Sequence, residues 1–263
     1  MKNILVPVGA SKTPESTIQY AIDFAAYFNA RVYVLGDYNV ISRAGRMQNI
    51  DEIIEEETKT YLKTCLSKVD KRSVDVATVT AKGNIIDLIK NLSEELAIDL
   101  VIIESNSNIK EEVFLDTVSG SIVKQTEIPL MIVPGGYGFK EPSSILTAFR
   151  SGILKRENVL KPLKEIREAF NAQISLLLVK TPKLKEKDLI LAPELKALSN
   201  KLTTTENATT FQGVLEHFQE HHPDILCVFR RKRGFFTKLW EKNIILKREF
   251  HCSIPLLVLI GKL

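Results

Sequence analysis

Short apolar runs alternate with amphipathic stretches along the first half of the chain. Ile4–Val8 and Leu100–Ile103 are continuous apolar runs, as expected for parallel strands buried on both faces. Ser11–Asn29 carries apolar residues at helical spacing, and Pro14 suits its first turn. The same reasoning predicts five strands, at Ile4–Val8, Arg31–Leu35, Val74–Thr80, Leu100–Ile103 and Pro129–Val133, and four helices, at Ser11–Asn29, Asn49–Ser67, Gly83–Leu92 and Asp116–Gln125.

The second half shows the same alternation in weaker form. One predicted helix, Leu189–Lys201, contains Pro193, which is an alternative beginning for it. The strands are predicted at Ser144–Ala148, Ile174–Val179, Thr203–Thr205, Ile225–Phe229 and Ile254–Ile260, and the other helices at Lys155–Phe170, Phe211–His221 and Leu239–Phe250. Strands that alternate with helices in this way predict an open parallel sheet with helices on both faces.

Local sequence matches indicate that the second half repeats the first. The three matching pairs are Phe28–Leu35 with Phe170–Leu177, Ile98–Ile102 with Pro223–Cys227, and Glu127–Val133 with Cys252–Leu259. They occur in the same order and lie about 130 residues apart, which indicates duplicated domains and not a solenoid of short repeats. A chain of 263 residues has room for two such domains, predicted at 1–137 and 138–263.

Composition and charge agree with two globular units. Hydrophobic residues are 44% and charged residues 26% of the chain, which is typical of a folded globular protein. The net charge of +4 combines a first half with 14 Lys/Arg and 19 Asp/Glu and a second half with 22 and 13. The halves therefore carry −5 and +9, and this difference again favours two separate units.

The sequence argues against several classes of protein. No apolar run reaches the roughly 20 residues that a membrane-spanning helix needs, and the first apolar run predicts a buried strand, not a signal peptide. Cys65, Cys227 and Cys252 are widely spaced and form no CxxC pair, so we expect neither a disulfide framework nor a zinc site. His217 and His221 have a spacing that suits a metal, but no further ligand accompanies them. A reduced, cytoplasmic setting fits these features.

Catalytic motifs are also missing. The chain has no G-x-S-x-G elbow, no G-x-x-x-x-G-K-[ST] loop and no G-x-G-x-x-G after the first strand. Ser119-Gly120-Ser121 only superficially resembles a catalytic serine motif, because it lies early in a predicted helix. We therefore expect a protein that is not an enzyme.

Three segments resemble the universal stress protein family. They are Lys2–Val8 at the start, Ala97–Ile103 before a polar loop, and Ile128–Pro134 at the end of the first half. The whole chain is similar to a tandem member of that family. The resemblance implies two five-stranded α/β domains of the adenine nucleotide alpha hydrolase-like, Rossmann-like type. It also implies antiparallel pairing of the last strands, Leu130–Val133 and Leu256–Leu259, within the chain.

Many members of that family bind ATP, through an Asp after the first strand and G-x2-G-x9-G-[ST] after the fourth. Here the Asp position holds Gly9, with Arg150 as its counterpart in the second half. Glu104 and Ser107 replace the two loop glycines. The final Gly-[Ser/Thr] pair aligns with Asp116-Thr117, or with Gly120-Ser121 if the helix begins one turn later. The candidate nucleotide-contacting residues are Pro7, Val8, Gly9, Ile103, Ser105, Ser107, Thr117, Gly120, Ser121, Arg231, Arg233 and Gly234.

The charges at these positions oppose a triphosphate in the first half. Glu104 and Asp116 would each face phosphate charge, and two like charges at about 4 Å repel by about 4 kcal/mol at an effective dielectric near 20. In the second half, Arg230–Arg233 next to Phe235, Phe236 and Trp240 has two interpretations. One is an anion site with stacking rings, and the favoured one is a solvated basic loop over a small apolar cluster.

The sequence thus predicts a non-catalytic stress-response protein for ligand sensing or interaction, with a degraded ATP motif. The alternative is a universal stress protein that binds ATP or AMP and has weak ATPase activity. No cofactor is required in the first case, and a redox or metal module is not supported. Expected partners are an unidentified protein and a second copy of the chain, without a membrane or nucleic acid.

Overall fold

The computed structural model describes residues 1–39, 50–105, 113–154, 157–182, 184–199, 201–230, 245–246 and 251–260. The helices are α1 Pro14–Ala26, α2 Ile50–Ser67, α3 Ile85–Glu95, α4 Thr117–Gln125, α5 Lys161–Phe170, α6 Pro193–Lys196 and α7 Thr210–His221. The strands are β1 Asn3–Pro7, β2 Arg31–Tyr38, β3 Val76–Lys82, β4 Leu100–Ser105, β5 Val113–Leu115, β6 Leu130–Pro134, β7 Ser144–Phe149, β8 Gln173–Lys180, β9 Leu202–Glu206, β10 Ile225–Arg230, β11 Ile245–Leu246 and β12 Leu256–Ile260.

Ten of these strands form one sheet, in the order β3-β2-β1-β4-β6-β12-β10-β7-β8-β9. Neighbouring strands are parallel everywhere except at the centre, where β6 and β12 are antiparallel and Met131 faces Leu257. The order of the first five strands is repeated in reverse by the last five. The α/β fold predicted from the sequence is confirmed, and the two halves are related by an approximate two-fold axis at the β6–β12 contact.

An aspartate holds the start of the first strand in each half. Asp99 Oδ2 accepts hydrogen bonds from the Lys2 and Asn3 amides. Asp224 Oδ2 accepts equivalent bonds from the Ser143 and Ser144 amides. The two aspartates belong to one of the sequence pairs that indicated the repeat, and the structure shows why that pair has the same residue in both halves.

Two apolar layers cover the sheet, and each layer extends across both halves. One layer joins α1 and α2 to α5 through residues such as Phe24 and Leu163. The other joins α3 and α4 to α7 through residues such as Ile89 and Val214. Both halves therefore share their cores across the antiparallel contact. Among the helices in the described residues, none is long and apolar enough to cross a membrane.

Two further contacts join the halves. On one side, aromatic rings of α1 and α5 meet Phe139 of the connecting segment, with Phe24 and Phe170 5.8 Å apart between centroids. The short β5, between β4 and α4, pairs antiparallel with β11, between β10 and β12. We call the β5–β11 pair the clasp, because it joins equivalent segments of the two halves.

Several element predictions were wrong in their bounds. The fifth helix begins at Lys161, next to Pro162, and not at Lys155. The helix expected at Leu189–Lys201 is only the four-residue α6, which Pro193 begins, after a 3₁₀ turn at Glu186–Leu189. Within the predicted helix Leu239–Phe250, the two described residues, 245 and 246, form a strand. Neither strand of the clasp was predicted.

Candidate functional site

The candidate site lies where β1, β2 and β4 end, at the carboxyl edge of the first half of the sheet. A cavity there is lined by Pro7, Gly9, Ala10, Ser11, Asp37, Ile85, Ile103, Glu104, Val118, Ser119 and Ile122. Open parallel sheets bind their ligands at this edge. The cavity volume is about 20 Å³, whereas ligand pockets usually measure roughly 300–1,000 Å³. In this conformation the space is close to that of one water molecule.

Asp37 closes the cavity next to Gly9. A Cβ atom added to Gly9 would overlap the Asp37 carboxylate, and it would lie 3.1 Å from Asp37 Cγ. β1 and β2 are paired with Pro7 beside Leu35, which brings Gly9, just after β1, next to Asp37 near the end of β2. The space that a side chain at position 9 would need is therefore filled by a carboxylate from the neighbouring strand. Burial raises the pKa of Asp37.

Glu104 fills a second part of the site, at the beginning of α1. Its carboxylate accepts hydrogen bonds from Ser11 Oγ and from the Thr13 amide, the latter at 3.0 Å. Its other oxygen would lie 2.9 Å from a Cβ atom on Gly135, and the residue is only 7% exposed. A helix N-terminus attracts anions through its free N–H groups. Here the anion that it holds is part of the protein.

Asp116 likewise places a carboxylate at the N-terminus of a helix, at the beginning of α4. Its Oδ1 accepts a hydrogen bond of 2.8 Å from the Ser119 amide, so Asp116 is the N-cap and Thr117 is the first helical residue. The alternative alignment, with the helix beginning near Gly120-Ser121, is therefore wrong. Ser119 Oγ also donates to the Glu104 carbonyl at 3.4 Å, which ties α4 to the end of β4.

The structure brings only some of the predicted nucleotide-contacting residues to this cavity. Pro7, Gly9 and Ile103 line it. Gly120 and Ser121 lie inside α4, and Ser105 is fully buried, with a hydroxyl that has no hydrogen-bond partner. Among the described residues, the remaining candidates do not line the cavity, namely Val8, Ser105, Thr117, Gly120 and Ser121. Ser107 lies outside the described residues.

The matching edge of the second half is covered by the chain itself. Gly152, just after β7, donates from its amide to the Asp188 carbonyl at 2.8 Å, and its carbonyl accepts from the Ala192 amide at 2.9 Å. A Cβ atom on Gly152 would lie 2.6 Å from the Ile190 carbonyl oxygen. The segment 186–192 therefore packs directly on the loop that holds Arg150.

Asp188 shows how firmly this covering segment is held. Burial alone would raise its pKa, but hydrogen bonds from Ser151 and from the Lys185 amide, with the nearby charge of Arg150, lower it below the ordinary value. Arg150, the counterpart of Gly9, thus supports a carboxylate of the same chain. The candidates Arg231, Arg233 and Gly234 lie outside the described residues.

The cysteines and histidines show little sign of redox or metal chemistry in the described residues. All three cysteines are buried, and burial raises the pKa of Cys252 to about 12. His217 Nδ1 lies 3.3 Å from Glu220 Oε2. Within the described parts of the chain, no group of three or more His, Cys, Asp and Glu side chains could hold a metal ion.

Sequence reasoning missed Asp37, Ser11 and Ser119 as lining residues. The sequence could have indicated Asp37, because Gly36-Asp37 directly follows the predicted strand Arg31–Leu35. The carboxyl ends of adjacent parallel strands lie at the same edge of a sheet. The effect of Asp37 on position 9 depends on the register between β1 and β2, which a single sequence does not show. Ser11 was named only as the first residue of the predicted helix Ser11–Asn29, whereas its hydroxyl donates a hydrogen bond to Glu104.

Comparison with known proteins places these features in a family context. The model of the universal stress protein family matches residues 1–134. A universal stress protein of Methanocaldococcus jannaschii is 23% identical over 138 residues, which are 50% of this chain and 81% of that protein. The family match covers the half of the chain that contains the cavity.

Solved structures match the whole chain. A universal stress protein from Archaeoglobus fulgidus superposes with a TM-score of 0.70 at 13% identity, over 98% of this chain and 96% of that one. A protein of unknown function from Pseudomonas aeruginosa superposes with a TM-score of 0.63 at 12% identity, over 99% and 93%. At such low identity these similarities show a shared fold that includes the second half.

Proposed function

The chain belongs to the universal stress protein family, and from this premise we propose that it is a non-catalytic stress-response protein. It acts by contact with other molecules, and ATP turnover is not part of its activity. The cavity of about 20 Å³ at the end of β1 is the observation that carries this proposal. A nucleotide would need a pocket more than ten times larger.

The carboxylates that close the cavity support the proposal through their charge. A nucleotide phosphate near α1 would meet Glu104, and one near α4 would meet Asp116. Each encounter at about 4 Å costs about 4 kcal/mol at an effective dielectric near 20. A loss of that size separates micromolar from millimolar affinity. Opening the cavity by movement of side chains would leave these two repulsions in place.

The second half supports the same conclusion by a different route. There the edge is covered by backbone, which is bonded to Gly152 on both sides. Little room for a ligand at the end of β1 or of β7 is more consistent with binding to other macromolecules than with nucleotide binding. We further propose that the β6–β12 contact within this chain takes the place of a contact between two separate single-domain copies.

Isothermal titration calorimetry with MgATP tests the proposal directly. We expect no saturable heat at micromolar to low millimolar ATP, and no nucleotide in denatured samples of protein purified without added ligand. Gly9→Trp is the matched variant, because the indole must displace the Asp37 carboxylate and would block any ligand at the end of β1. Micromolar ATP binding by the natural chain that Gly9→Trp abolishes would contradict the proposal.

A further inference from the structure

β3 is one edge of the ten-stranded sheet in the part of the chain that the structure describes. Within the described residues no strand lies beyond β3, and none of its seven residues is buried. The Val32 amide donates to the Asp75 carbonyl at 2.9 Å. In a strand, the N–H and C=O of one residue point to the same side, and this side alternates from residue to residue. The N–H and C=O groups of Val76, Thr78, Thr80 and Lys82 therefore point away from β2.

The sequence of this edge reads the same in both directions. Its central residues are Ala77-Thr78-Val79-Thr80-Ala81. If two copies of β3 pair antiparallel about a two-fold axis at Val79, the five central residues meet their own kind: Ala77 faces Ala81, Thr78 faces Thr80 and Val79 faces Val79. Only the end residues, Val76 and Lys82, meet a different type. Thr–Thr pairs and pairs of β-branched residues stabilise antiparallel strands.

The backbone allows the same register. Thr78 and Thr80 both turn their peptide groups outward, so in this arrangement they form the hydrogen-bonded pair across the axis. Val79 then forms a pair without hydrogen bonds, in which the Cα atoms lie about 4.5 Å apart. The side chains of each pair lie on the same face of the sheet, as a continuous sheet requires.

β3 also lacks most of the features by which proteins protect a sheet edge. It contains no proline, and its one charged residue, Lys82, is the last and is paired with Asp51 of α2. The opposite edge strand, β9, has five residues and ends in Glu206, which pairs with Lys180. Pairing β9 with itself about Thr204 would match only its three central residues, against five in β3. The two edges are therefore not equivalent.

We infer that two copies of this chain associate through their β3 strands, in an antiparallel register centred on Val79. The contact is the same surface on both copies, so it closes as a dimer and does not continue into a fibre. It joins two ten-stranded sheets into one. The inference rests on β3 alone and is independent of whether the cavity at β1 binds a nucleotide.

A cysteine at the two-fold axis tests the register. In Val79→Cys the two thiols of a dimer face each other, at a Cα separation suited to a disulfide. We expect diamide oxidation to give a covalent dimer on non-reducing gels. The three natural cysteines are buried and should not react. Thr78→Cys is the matched control, because its nearest copy lies diagonally across the axis. Cross-linking of Thr78→Cys but not of Val79→Cys would overturn the register.

Charge at the edge tests the association itself by sedimentation velocity. We expect the natural chain to be a dimer at tens of micromolar, and Thr78→Lys with Thr80→Lys to raise the dissociation constant roughly tenfold or more through facing like charges. Mixing that variant with Thr78→Glu and Thr80→Glu should restore a mixed dimer, which an unfolded variant would not do. Thr204→Lys on β9 should leave the dimer intact. A monomeric natural chain, or one that Thr204→Lys dissociates, would overturn the inference.

Discussion

At the end of β1, the carboxylate of a residue in β2 lies where the side chain of a non-glycine residue would be. Gly9 has no side chain, and Asp37 fills the position where one would begin. Glu104 and Asp116 occupy the helix N-termini nearby with their own carboxylates. Under the proposed function, these three carboxylates oppose a phosphate group by contact or by charge.

Gly9→Ala and Asp37→Ala should be coupled. The added methyl group of Gly9→Ala must displace the Asp37 carboxylate, and because that side chain can rotate we expect a loss of about 1 kcal/mol in unfolding free energy. The loss should largely disappear when Asp37→Ala is also present. Gly138→Ala is the control, since a Cβ there meets nothing within 4 Å. Additive effects in urea unfolding would show that the two residues do not share this space.

Asp37→Asn should stabilise the protein at neutral pH. Burial raises the pKa of Asp37, so the folded chain binds this proton more tightly than the unfolded chain, and ionised Asp37 costs stability. We expect the melting temperature of Asp37→Asn to exceed that of the natural chain at pH 7 by roughly 1–3 °C. The difference should vanish as the pH falls below about 4, near the ordinary value of 3.8.

The exposed Glu94→Gln is the control for this pH series. Its carboxylate lies on the outer face of α3, and we expect no comparable rise in melting temperature. If Asp37→Asn melts at the same temperature as the natural chain at pH 7, the Asp37 carboxylate is not as strongly desolvated as the structure indicates.

Gly9, Glu104 and Asp116 were identified as departures from the family pattern by their sequence positions alone. Asp37 was not, because its effect arises from strand register. In the same way, Ser105 was a contact candidate from the family resemblance, but it is the last residue of β4 and the structure buries its hydroxyl. Sequence therefore located the edge of the sheet where the site lies, and the orientation of individual side chains required the structure.

At the scale of the elements, α4 is a short helix with a side-chain cap at its N-terminus. The helix has nine residues, and Asp116 supplies the side-chain cap to the Ser119 amide. Asp116→Ala should lower the unfolding free energy by about 1 kcal/mol, whereas Asp116→Asn should change it little because asparagine caps equally well. Denaturant unfolding of both variants measures this. Equal losses in the two would show that the negative charge, and not the hydrogen bond, is what matters.

The predicted elements were most accurate where apolar runs are long. All ten strands of the main sheet were predicted to within a few residues. The central strands are continuous apolar runs buried on both faces, whereas the edge strands β3 and β9 are not. The wrong helices lie in the second half, where proline begins α5 and α6 later than the apolar spacing suggests. The clasp strands are two or three residues long, and their pairing partners lie more than 120 residues apart, so no local pattern could indicate them.

At the scale of the whole molecule, the two halves should unfold together. Both apolar layers continue across the β6–β12 contact, and the rings of Phe24 and Phe170 join α1 to α5. We expect one calorimetric transition. Phe24→Ala should lower its midpoint, with a loss of about 3–5 kcal/mol, and Phe24→Leu should lower it less. A second peak that separates in Phe24→Ala would show that the halves unfold independently.

The antiparallel contact between β6 and β12 also has an evolutionary consequence. In a dimer of identical chains every substitution appears twice, once on each side of the two-fold axis, so neither side can change alone. Here both sides belong to one polypeptide, and each position can mutate separately. A half with a charge of −5 can then face a half of +9. An interior hydrogen bond such as that from Arg230 to the Val123 carbonyl can exist without a symmetric copy. If the contact arose from two separate copies, as proposed above, its two sides became free to acquire different tasks.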